Sequence, residues 1–400
     1  MKPALVTGAC GFSGGHMVKI LADEGVPVRG TDLARAYDSP KVRLVQEQIG
    51  LDWNAPGVEF VPSDLSDKDS LAAALKGVGT VYHTASLYDY SASMSALEKV
   101  NIEGTMNLCD AMVAEGVDRM VHWSTAGVYG HPYMPRSSQN PFRMMFEQFW
   151  GLGVRPWLTD KEYKRPAAHP TNQPFTEERS TPLNTPGPEP RGTFLVNDYS
   201  ITKWKQEQLI QKYGREKGLR WTILRPAPLY GPGSDYGIGG IVVAMSEGLT
   251  STLPLDLRNY LMVNCHVRDI GRAAWFVSQR EDTVFEDYNV SDPTVISQLE
   301  FLKIGALLVG RKVHLLPFLR MPWLMPLGIW SARYVRWLEN HYPSYQRIRI
   351  WEESSARYLS SSYWISSGKL KSLGFEWEYP DFKLGLRDMV QWFIEVGWIK

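Results

Sequence analysis

A tyrosine and a lysine stand four positions apart in the stretch NDYSITKWKQE, at Tyr199 and Lys203. Residues with this spacing share one face of a helix, so the phenol and the ammonium would lie side by side. A phenol, with a pKa of about 10, is a poor base at neutral pH, but a neighbouring cation favours its phenolate form. The pair could therefore exchange a proton with an alcohol or a ketone. Alone, it also fits the solvated face of an ordinary helix.

Glycines near the N-terminus have the spacing of a dinucleotide-binding turn. An apolar run over residues 4–6 precedes Gly8, Gly11 and Gly14, and a helical pattern of apolar residues follows them. Glycine at these positions permits a tight turn and a close approach of the backbone to a pyrophosphate at a helix N-terminus. The flanking strand and helix patterns favour this interpretation over a plain loop. The predicted cofactor-binding residues of this turn are Gly8, Gly11, Phe12, Ser13 and Gly14.

The second predicted strand, VPVRGTDL, ends in an acidic residue, Asp32, which is followed by Leu33. Asp32 stands about twenty residues past the glycines, where a carboxylate accepts the hydroxyls of the adenosine ribose. Because such a carboxylate repels a 2′-phosphate, NAD is favoured over NADP as the cofactor. Arg35 could instead pair with a 2′-phosphate, so NADP stays open.

Two later strands also end in residues that suit a nucleotide. VEFVPSDLSD predicts a strand ending in Asp64 and Leu65, a pair suited to the adenine ring, and TVYHTASLYDY predicts one that ends at His83. We interpret His83 as a core residue with satisfied ring nitrogens. The small residues that follow it leave room for a cofactor: Thr84, Ala85 and Ser86. Alternating strands and helices predict a Rossmann-type α/β fold, a doubly wound parallel sheet with its ligand site at the carboxyl strand ends.

Together these motifs resemble the extended short-chain dehydrogenase/reductases of the NAD-dependent epimerase/dehydratase superfamily. In chain order, the matching positions are Thr7-Gly8-x-x-Gly11-x-x-Gly14, Asp32, Asp64-Leu65, His83-x-Ala85, Asn101-x-x-Gly104-Thr105, Ser124-Thr125 and Tyr199-x-x-x-Lys203. The resemblance implies that Thr125, Tyr199 and Lys203 perform the chemistry, with Ser124 beside them, and that Lys203 also holds the nicotinamide ribose. It adds to the predicted cofactor site Asn101, Ser124, Tyr199, Lys203, Pro226 and Leu229.

Within that family the chain resembles the branch of 3β-hydroxysteroid dehydrogenases and sterol-4-carboxylate 3-dehydrogenases. The stretches VYHTASLYD, YSITK and LRPAPLYGPG look like its versions of these motifs. Polar residues that usually hold a nucleotide sugar are replaced by Pro228, Met262 and the pair 126–127. The resemblance implies an NAD-dependent oxidoreductase that converts the 3β-hydroxyl of a steroid, sterol or related lipid to the ketone, or the reverse. Three alternatives stay open: a nucleotide-sugar epimerase or reductase, a reductase of β-keto acids or other ketones, and a non-catalytic NAD-binding module.

The spacing of the catalytic positions indicates a long insertion, because seventy-four positions separate Thr125 from Tyr199. A stripe of Phe142, Met145, Phe146 and Phe149 predicts an aromatic helix in its first half, which would act as a substrate lid. A Pro-rich loop makes up the second half. The predicted organisation is an NAD-binding core (1–130), the insertion (131–194), the catalytic helix and return to the core (195–230), and a smaller mixed substrate-binding region (231–400).

Composition argues against several classes of function. The 43 basic side chains balance the 43 acidic ones among 400 residues, which predicts no nucleic-acid partner. Three scattered cysteines, Cys10, Cys109 and Cys265, have no metal-ligand spacing, so we predict no metal site and a reducing, cytoplasmic compartment. The N-terminus enters a predicted core strand directly, which is not the pattern of a cleaved signal peptide.

Fifteen tryptophans are the one unusual feature of the composition, and several fall in the amphipathic segment 315–345. We expect a helix there after Pro326, with arginines on the face opposite its apolar stripe. The predicted stripe consists of Leu327, Trp330, Tyr334, Trp337 and Leu338. Tryptophan with flanking arginine suits a membrane surface, which predicts peripheral membrane contact. Burial of the stripe in the core, or in a homodimer interface, is the alternative.

Overall fold

The computed structural model describes residues 2–90, 92–129, 174–177, 197–248, 252–319, 321–341 and 364–399. The predicted aromatic helix of the insertion and most of its Pro-rich loop lie outside these residues. The strands are β1 Ala4–Thr7, β2 Val28–Thr31, β3 Val58–Phe60, β4 Thr80–His83, β5 Arg119–Trp123, β6 Arg220–Pro226, β7 Leu229–Tyr230, β8 Thr252–Pro254, β9 Leu261–Met262, β10 Cys265–His266, β11 Glu286–Val290, β12 Ile296–Ser297 and β13 His314–Leu316.

Helices alternate with these strands through most of the described residues. They are α1 Phe12–Asp23, α2 Ala34–Tyr37, α3 Pro40–Gln48, α4 Lys68–Leu75, α5 Met94–Leu97, α6 Gly104–Ala114, α7 Asp198–Lys217, α8 Ile238–Ser246, α9 Val267–Ser278, α10 Gln298–Leu308, α11 Met321–His341, α12 Gly368–Ser372 and α13 Phe382–Glu395. A π-helical segment, Glu98–Glu103, joins α5 to α6, and a 3₁₀ turn, Ala126–Tyr129, follows β5.

Seven parallel strands form the central sheet in the order β3-β2-β1-β4-β5-β6-β11. Strands β1 and β5 are buried along their whole length, because helices cover both faces of the sheet. The strand order reverses between β1 and β4, and in such sheets the ligand crevice lies at the carboxyl ends at this point. The predicted Rossmann-type fold is confirmed.

The edge strand β3 is shorter than the sequence predicts. It ends at Phe60, so that Asp64 and Leu65 lie in the loop beyond it rather than at the strand end. The chain still follows β2 as far as Ser63, because the N–H groups of Val61 and Ser63 donate to the carbonyls of Gly30 and Asp32. Asp64 then turns the chain, since its carboxylate accepts the Ser66 N–H and its carbonyl accepts the Asp67 N–H.

The smaller C-terminal part is mixed, as predicted. It contains a parallel pair, β8 with β13, and an antiparallel pair, β9 with β12. Its apolar core is built around α8, α10 and α13, separately from the two apolar clusters on the faces of the main sheet. A short described piece of the insertion, residues 174–177, returns to the core, where Phe175 forms an isolated β-bridge with Ile365 and stacks on Tyr129.

The Trp-rich segment forms a longer helix than the sequence predicts. Helix α11 begins at Met321, so Pro326 lies inside it and the prediction that this proline precedes the helix is wrong. Proline at the sixth position removes one hydrogen bond, to the carbonyl of residue 322, which the first turns of a helix tolerate better than its centre. Among the described residues, no helix is both long enough and apolar enough to span a bilayer.

Candidate active site

Helix α7 carries the tyrosine and the lysine, and its sequence fixes both of its ends. The side chain of Asn197 caps the N-terminus by accepting the Ser200 N–H at 2.9 Å, and Gly218 ends the helix in the left-handed conformation at φ 74°. Tyr199 and Lys203 lie one turn apart at the start of the helix and are both buried. The predicted common face is therefore present, and it is turned toward the protein rather than toward solvent.

Thr125 is brought beside the first turn of α7 by the 3₁₀ turn after β5. Its hydroxyl accepts the N–H of Gly127 at 3.1 Å, which holds the turn tightly against the strand end. A Cβ on Gly127 would lie 2.6 Å from the Ser200 hydroxyl, so only glycine allows the turn and the helix to approach this closely. Thr125, which is half-buried, and Tyr199, which is buried, thus reach the same edge of the sheet from two different elements.

Ser124, the second predicted hydroxyl, is used inside the protein. Its hydroxyl donates to the carboxylate of Glu207, which lies one turn beyond Lys203 on α7. The backbone N–H of Ser124 donates to the Leu224 carbonyl at 2.7 Å. The structure therefore places Ser124 behind the site, where it ties β5 to α7.

Lys203 is the most buried member of the site, with 1% of its surface exposed. Among the described residues, none hydrogen-bonds its ammonium. Burial lowers the pKa of Lys203 to about 7, a shift that the nearby carboxylate of Glu207 opposes. A buried ammonium without a hydrogen-bond partner is costly, and this one could donate to a ligand bound at the carboxyl edge of the sheet.

His83 lies beneath Lys203 and is a core residue, as predicted. Its Nδ1 accepts the Thr7 hydroxyl at 2.8 Å. The Thr105 hydroxyl donates to the Asn101 carbonyl, so its oxygen accepts the His83 Nε2–H at 2.9 Å. Burial, followed by the charge of Lys203, lowers the pKa of His83 to about 3, which keeps the ring neutral.

The glycine turn has the geometry that a pyrophosphate requires. Gly8 adopts φ 71°, and a Cβ there would lie 2.8 Å from the Cα of Ala85. A Cβ on Gly14 would lie 2.0 Å from the carbonyl oxygen of Gly8, so the first turn of α1 packs directly on the loop. Gly11 is the N-cap of α1 and provides no capping side chain, which leaves the first N–H groups of the helix for an anion. Phe12 and Ser13 are the first residues of that helix.

Asp32 bridges the glycine turn and the end of β2. One carboxylate oxygen accepts the Cys10 N–H at 3.0 Å and the other accepts the Leu33 N–H at 2.8 Å. Each oxygen keeps a lone pair that a ribose hydroxyl could use. Arg35 is exposed on α2, nearby in sequence.

The adenine-side residues divide between two roles. The exposed Asp64 carboxylate accepts the backbone N–H and the hydroxyl of Ser66, both at 2.8 Å, and so closes its own loop. Leu65 packs against the start of α6, where a Cβ on Gly104 would lie 2.8 Å from the Leu65 Cβ. Gly104 is therefore the residue that lets the Leu65 side chain sit under the loop.

The small residues after β4 form a wall held by polar contacts. Thr84 donates its hydroxyl to the Thr7 carbonyl at 2.7 Å, which joins the ends of β4 and β1. Asn101, on the π-helical segment, accepts the Ser86 hydroxyl at 3.0 Å and donates to Thr202 on α7 at 3.1 Å. Asn101 thus positions the loop and the catalytic helix relative to each other.

Pro226 and Leu229 stand at the other side of the crevice. Pro226 is the buried last residue of β6, where it pairs with Val290 of β11, and the half-buried Leu229 begins β7. They lie at the carboxyl edge of the sheet, as predicted, although the structure gives neither a polar contact with the other site residues.

The residues present fit NAD. The glycine turn leaves space and the first helix N–H groups for a pyrophosphate, and Asp32 offers acceptors for ribose hydroxyls. Beside Tyr199, Lys203 offers an ammonium that no described residue hydrogen-bonds. Among the described residues, no group of three His, Cys, Asp or Glu side chains could hold a metal ion. The arrangement can transfer a proton to or from an oxygen at Tyr199 while a bound nicotinamide exchanges hydride.

Sequence reasoning missed three tyrosines around Tyr199. The Tyr88 ring lies 4.9 Å from the Tyr199 ring, measured between centroids, and the Tyr90 ring lies 5.8 Å from it. Tyr236 lies 5.0 Å from Tyr88 on the same measure. The aromatic residues in SLYDY and GSDYG were the available signal, but no local pattern shows that two loops 146 positions apart meet.

A buried ion pair behind the site was missed as well. Arg225 on β6 donates through Nε and Nη2 to the two carboxylate oxygens of Glu207, at 3.0 and 2.7 Å. The signal was an arginine inside the apolar strand WTILRPAP, because a buried charge needs a partner.

Comparison with known proteins shows what this chain resembles as a whole. The chain is 32% identical over 248 residues to the Bos taurus "sterol-4-alpha-carboxylate 3-dehydrogenase, decarboxylating". The aligned region covers 62% of this chain and 52% of that protein. The chain is also 32% identical over 145 residues to the Mus musculus 3 beta-hydroxysteroid dehydrogenase type 7, with 34% of this chain and 38% of that protein covered. The matches thus span about half, or less, of these curated relatives.

A solved structure and a family model complete the comparison. The dTDP-glucose 4,6-dehydratase DesIV from Streptomyces venezuelae, solved with NAD and TYD bound, superimposes with a TM-score of 0.65. It is 21% identical, covers 100% of this chain and is itself covered to 99%, which shows a shared fold. The model of the NAD dependent epimerase/dehydratase family matches residues 4–146 and 177–291, which is more than half of the chain. As the sequence predicts, the chain belongs to the NAD dependent epimerase/dehydratase family.

Proposed function

We propose that this protein is an NAD-dependent dehydrogenase that oxidises the 3β-hydroxyl of a steroid, sterol or related lipid to the ketone, or catalyses the reverse. The observation that carries the proposal is the pair on α7. Tyr199 is buried at the carboxyl edge of the sheet, and the Lys203 ammonium one turn away has no hydrogen-bond partner among the described residues. A surface tyrosine and lysine would show neither property.

The residues divide the work of proton transfer. Tyr199 takes the hydroxyl proton of the alcohol during oxidation and returns it during reduction, while Thr125 orients the substrate oxygen. Lys203 favours the phenolate form of Tyr199 by its positive charge and binds the nicotinamide ribose. When bound, NAD accepts the hydride from the carbon that carries the hydroxyl.

The substrate class rests on two kinds of support. Both curated relatives are named for sterol or steroid dehydrogenation, and the rings of Tyr88 and Tyr90 lie 4.9 and 5.8 Å from the Tyr199 ring, measured between centroids. Pro228 and Met262 stand where a nucleotide-sugar enzyme would carry polar residues. A ring system suits this surface better than a sugar diphosphate, which needs charged partners.

A panel of alcohols tests the substrate class. NADH formation by the purified protein should be largest with 3β-hydroxysterols or 3β-hydroxysteroids, and small with β-hydroxy acids and UDP-sugars. Turnover confined to UDP-sugars would replace this function with the epimerase alternative. Tight NAD binding without turnover on any alcohol would indicate a binding module.

Asp32 supports the choice of NAD over NADP and can be tested separately. Its two oxygens each accept one backbone N–H and keep a lone pair that could accept a ribose hydroxyl, whereas a 2′-phosphate there would meet a negative charge. The Asp32→Ala variant should narrow the preference for NAD, and Arg35 provides a cation for the added phosphate. A wild-type preference for NADP of about tenfold or more would contradict the assignment, since about 1.4 kcal/mol would then favour the phosphate.

Contact with a membrane surface is the second part of the proposal. Leu327 and Trp330 on α11 are each 60% exposed, and the rings of Trp330, Tyr334, Trp337 and His341 stack along one face of the helix. Arg333 and Arg336 are exposed on the same helix and would meet anionic headgroups. Co-sedimentation with anionic vesicles at low salt should be strong and should fall with neutral vesicles; no binding to the anionic ones would contradict the contact.

Other parts of the sequence interpretation stay predictions. The cytoplasmic location, the homodimer and the boundaries at 130, 194 and 230 have direct tests in fractionation, sedimentation velocity and limited proteolysis. The lid role of residues 131–194 falls mostly outside the described residues. A variant lacking residues 140–150 should raise KM for a lipid alcohol if the lid prediction is right.

A further inference from the structure

A chain of alternating charges runs from the site to the far edge of the sheet, through three elements. It begins with Lys203 and Glu207 on α7, passes to Arg225 on β6 and ends at Asp287 on β11. Arg225 binds both oxygens of Glu207 and reaches Asp287 with its Nη1 at 2.6 Å. Lys203, Glu207 and Arg225 are each at most 2% exposed, so water screens these charges poorly.

Both oxygens of Glu207 accept hydrogen bonds from groups other than Lys203. One accepts the Ser124 hydroxyl and the Arg225 Nε–H, and the other accepts the Arg225 Nη2–H. The lysine one turn away therefore feels the negative charge but forms no ion pair with it. A direct pair would hold the ammonium away from any ligand in the crevice.

We propose that Glu207 is a positioning residue, held by Ser124 and Arg225, whose carboxylate keeps Lys203 charged while leaving its ammonium free for the nicotinamide ribose. This inference rests on the proposed function, and it identifies the residue that lets Lys203 bind the cofactor. Glu207 touches neither substrate nor cofactor and acts through Lys203.

The other groups that face Lys203 do not supply this charge. His83 on β4 and His122 on β5 lie behind it with their rings 5.2 Å apart, and burial holds the pKa of both well below the ordinary value, so both are neutral. Asn101 and Thr105 of the neighbouring helical segment are uncharged, Tyr129 binds Arg225 through its hydroxyl at 3.0 Å, and Arg225 is itself a cation. Glu207 is thus the carboxylate that opposes the burial of the ammonium.

The pH dependence of NADH binding tests the proposal without requiring turnover. Below the Lys203 pKa the ammonium can bind the ribose, and above it this contribution is lost. In the wild-type enzyme, NADH affinity measured by cofactor fluorescence should therefore fall as the pH rises through about 7. In Glu207→Gln this fall should be shifted down by about one pH unit or more, the size expected for loss of a nearby opposite charge. Glu207→Asp keeps the charge, so the pH at which its NADH affinity has fallen by half should be close to the wild-type value.

Two further variants separate this role from a structural one. Asp269→Asn removes another buried carboxylate, which accepts the N–H groups of Glu378 and Tyr379 far from Lys203. It should lower the stability of the protein without changing the pH at which NADH affinity has fallen by half. If Glu207→Gln does not fold, the double variant Glu207→Gln/Arg225→Met avoids a buried guanidinium with one carboxylate missing. A smaller downward shift is expected there, because loss of the Arg225 cation offsets part of it.

Each outcome of these titrations is decisive for Glu207. A midpoint in Glu207→Gln, or in the double variant, that equals the wild-type value would overturn the proposal, as would an equal shift in Asp269→Asn. The proposed function fails differently: NADH would bind with the expected pH dependence, yet no sterol alcohol would be oxidised.

Discussion

Two helices of this protein reverse the usual distribution of polar and apolar side chains. Helix α7 buries Lys203, Gln206 and Glu207, whereas α11 exposes Trp330 and Trp337. Burying a charge and exposing a large aromatic ring both cost stability relative to the opposite arrangement. In the proposed function, these two reversals mark surfaces that contact other molecules, a cofactor at α7 and a lipid surface at α11.

The two helices differ in how the reversal is compensated. On α7, the side chains of Thr202, Gln206 and Glu207 hydrogen-bond to neighbours on other elements, whereas none of the described residues hydrogen-bonds the Lys203 ammonium. On α11 the exposed rings stack on one another, and the opposite face is anchored by Ile329 and Ala332, which are buried. The buried polar groups of α7 are thus compensated by contacts between individual atoms, while the exposed rings of α11 form a continuous apolar surface.

The largest expected effect comes from removing one hydroxyl on α7. Tyr199→Phe should lower kcat by about 10³-fold, because proton transfer is lost, a step that typically contributes 10²- to 10⁴-fold. NADH affinity should stay within about twofold, since the phenol contributes little to cofactor binding. Steady-state kinetics and NADH titration measure both quantities. A variant with near wild-type kcat would remove the pair from the reaction.

A variant of Lys203 measures how much free energy of unfolding the burial of its ammonium costs, and so makes the comparison of the two helices quantitative. Lys203→Met should abolish turnover and weaken NADH binding, yet raise the free energy of unfolding of the cofactor-free protein by roughly 2–4 kcal/mol below pH 7. The folded pKa of about 7 lies below the ordinary 10.5, so the cost is fully present below pH 7. It disappears as the pH rises toward 10.5. Urea unfolding at pH 6 and pH 9 measures the difference; an equal effect at both pH values would contradict it.

Adjacent residues on α11 provide the matched pair for the second helix. Ile329→Ala should lower the free energy of unfolding by roughly 2–4 kcal/mol, because it leaves a cavity in the core. Trp330→Ala should change it by less than about 0.5 kcal/mol, because the ring is mostly exposed. Vesicle binding should show the reverse order, with the larger loss in Trp330→Ala. If Trp330→Ala destabilises the protein as much as Ile329→Ala, the stripe packs against protein rather than lipid.

The sequence predicts the parts of the site that depend on short-range patterns. The glycine turn, Asp32 and the Tyr199–Lys203 spacing each involve residues close in the chain, where the allowed backbone geometry limits what the pattern can mean. The parallel arrangement of the strands follows from their alternation with helices, since parallel strands need crossovers.

Contacts between residues far apart in the chain, and the exact ends of some elements, could not be predicted from such short-range patterns. Nothing in the sequence near Glu207 identifies Arg225 or Ser124 as its partners, because these meet only when β5, β6 and α7 pack. The start of α11 was placed too late because proline is a statistical helix breaker, and the packing of the helix outweighs one missing hydrogen bond. Asp64 begins a turn that its own contacts with Ser66 and Asp67 close, which the apolar pattern before it does not show.

The most direct measurement uses a 3β-hydroxysterol that carries deuterium on the carbon of the hydroxyl. With wild-type enzyme and NAD, the deuterium should appear in NADH in a one-to-one ratio with the sterol ketone, and Tyr199→Phe should form neither product at a comparable rate. Deuterium that returns to the substrate carbon with inverted configuration, or a complete absence of transfer to NAD, would contradict alcohol oxidation as the reaction of this protein.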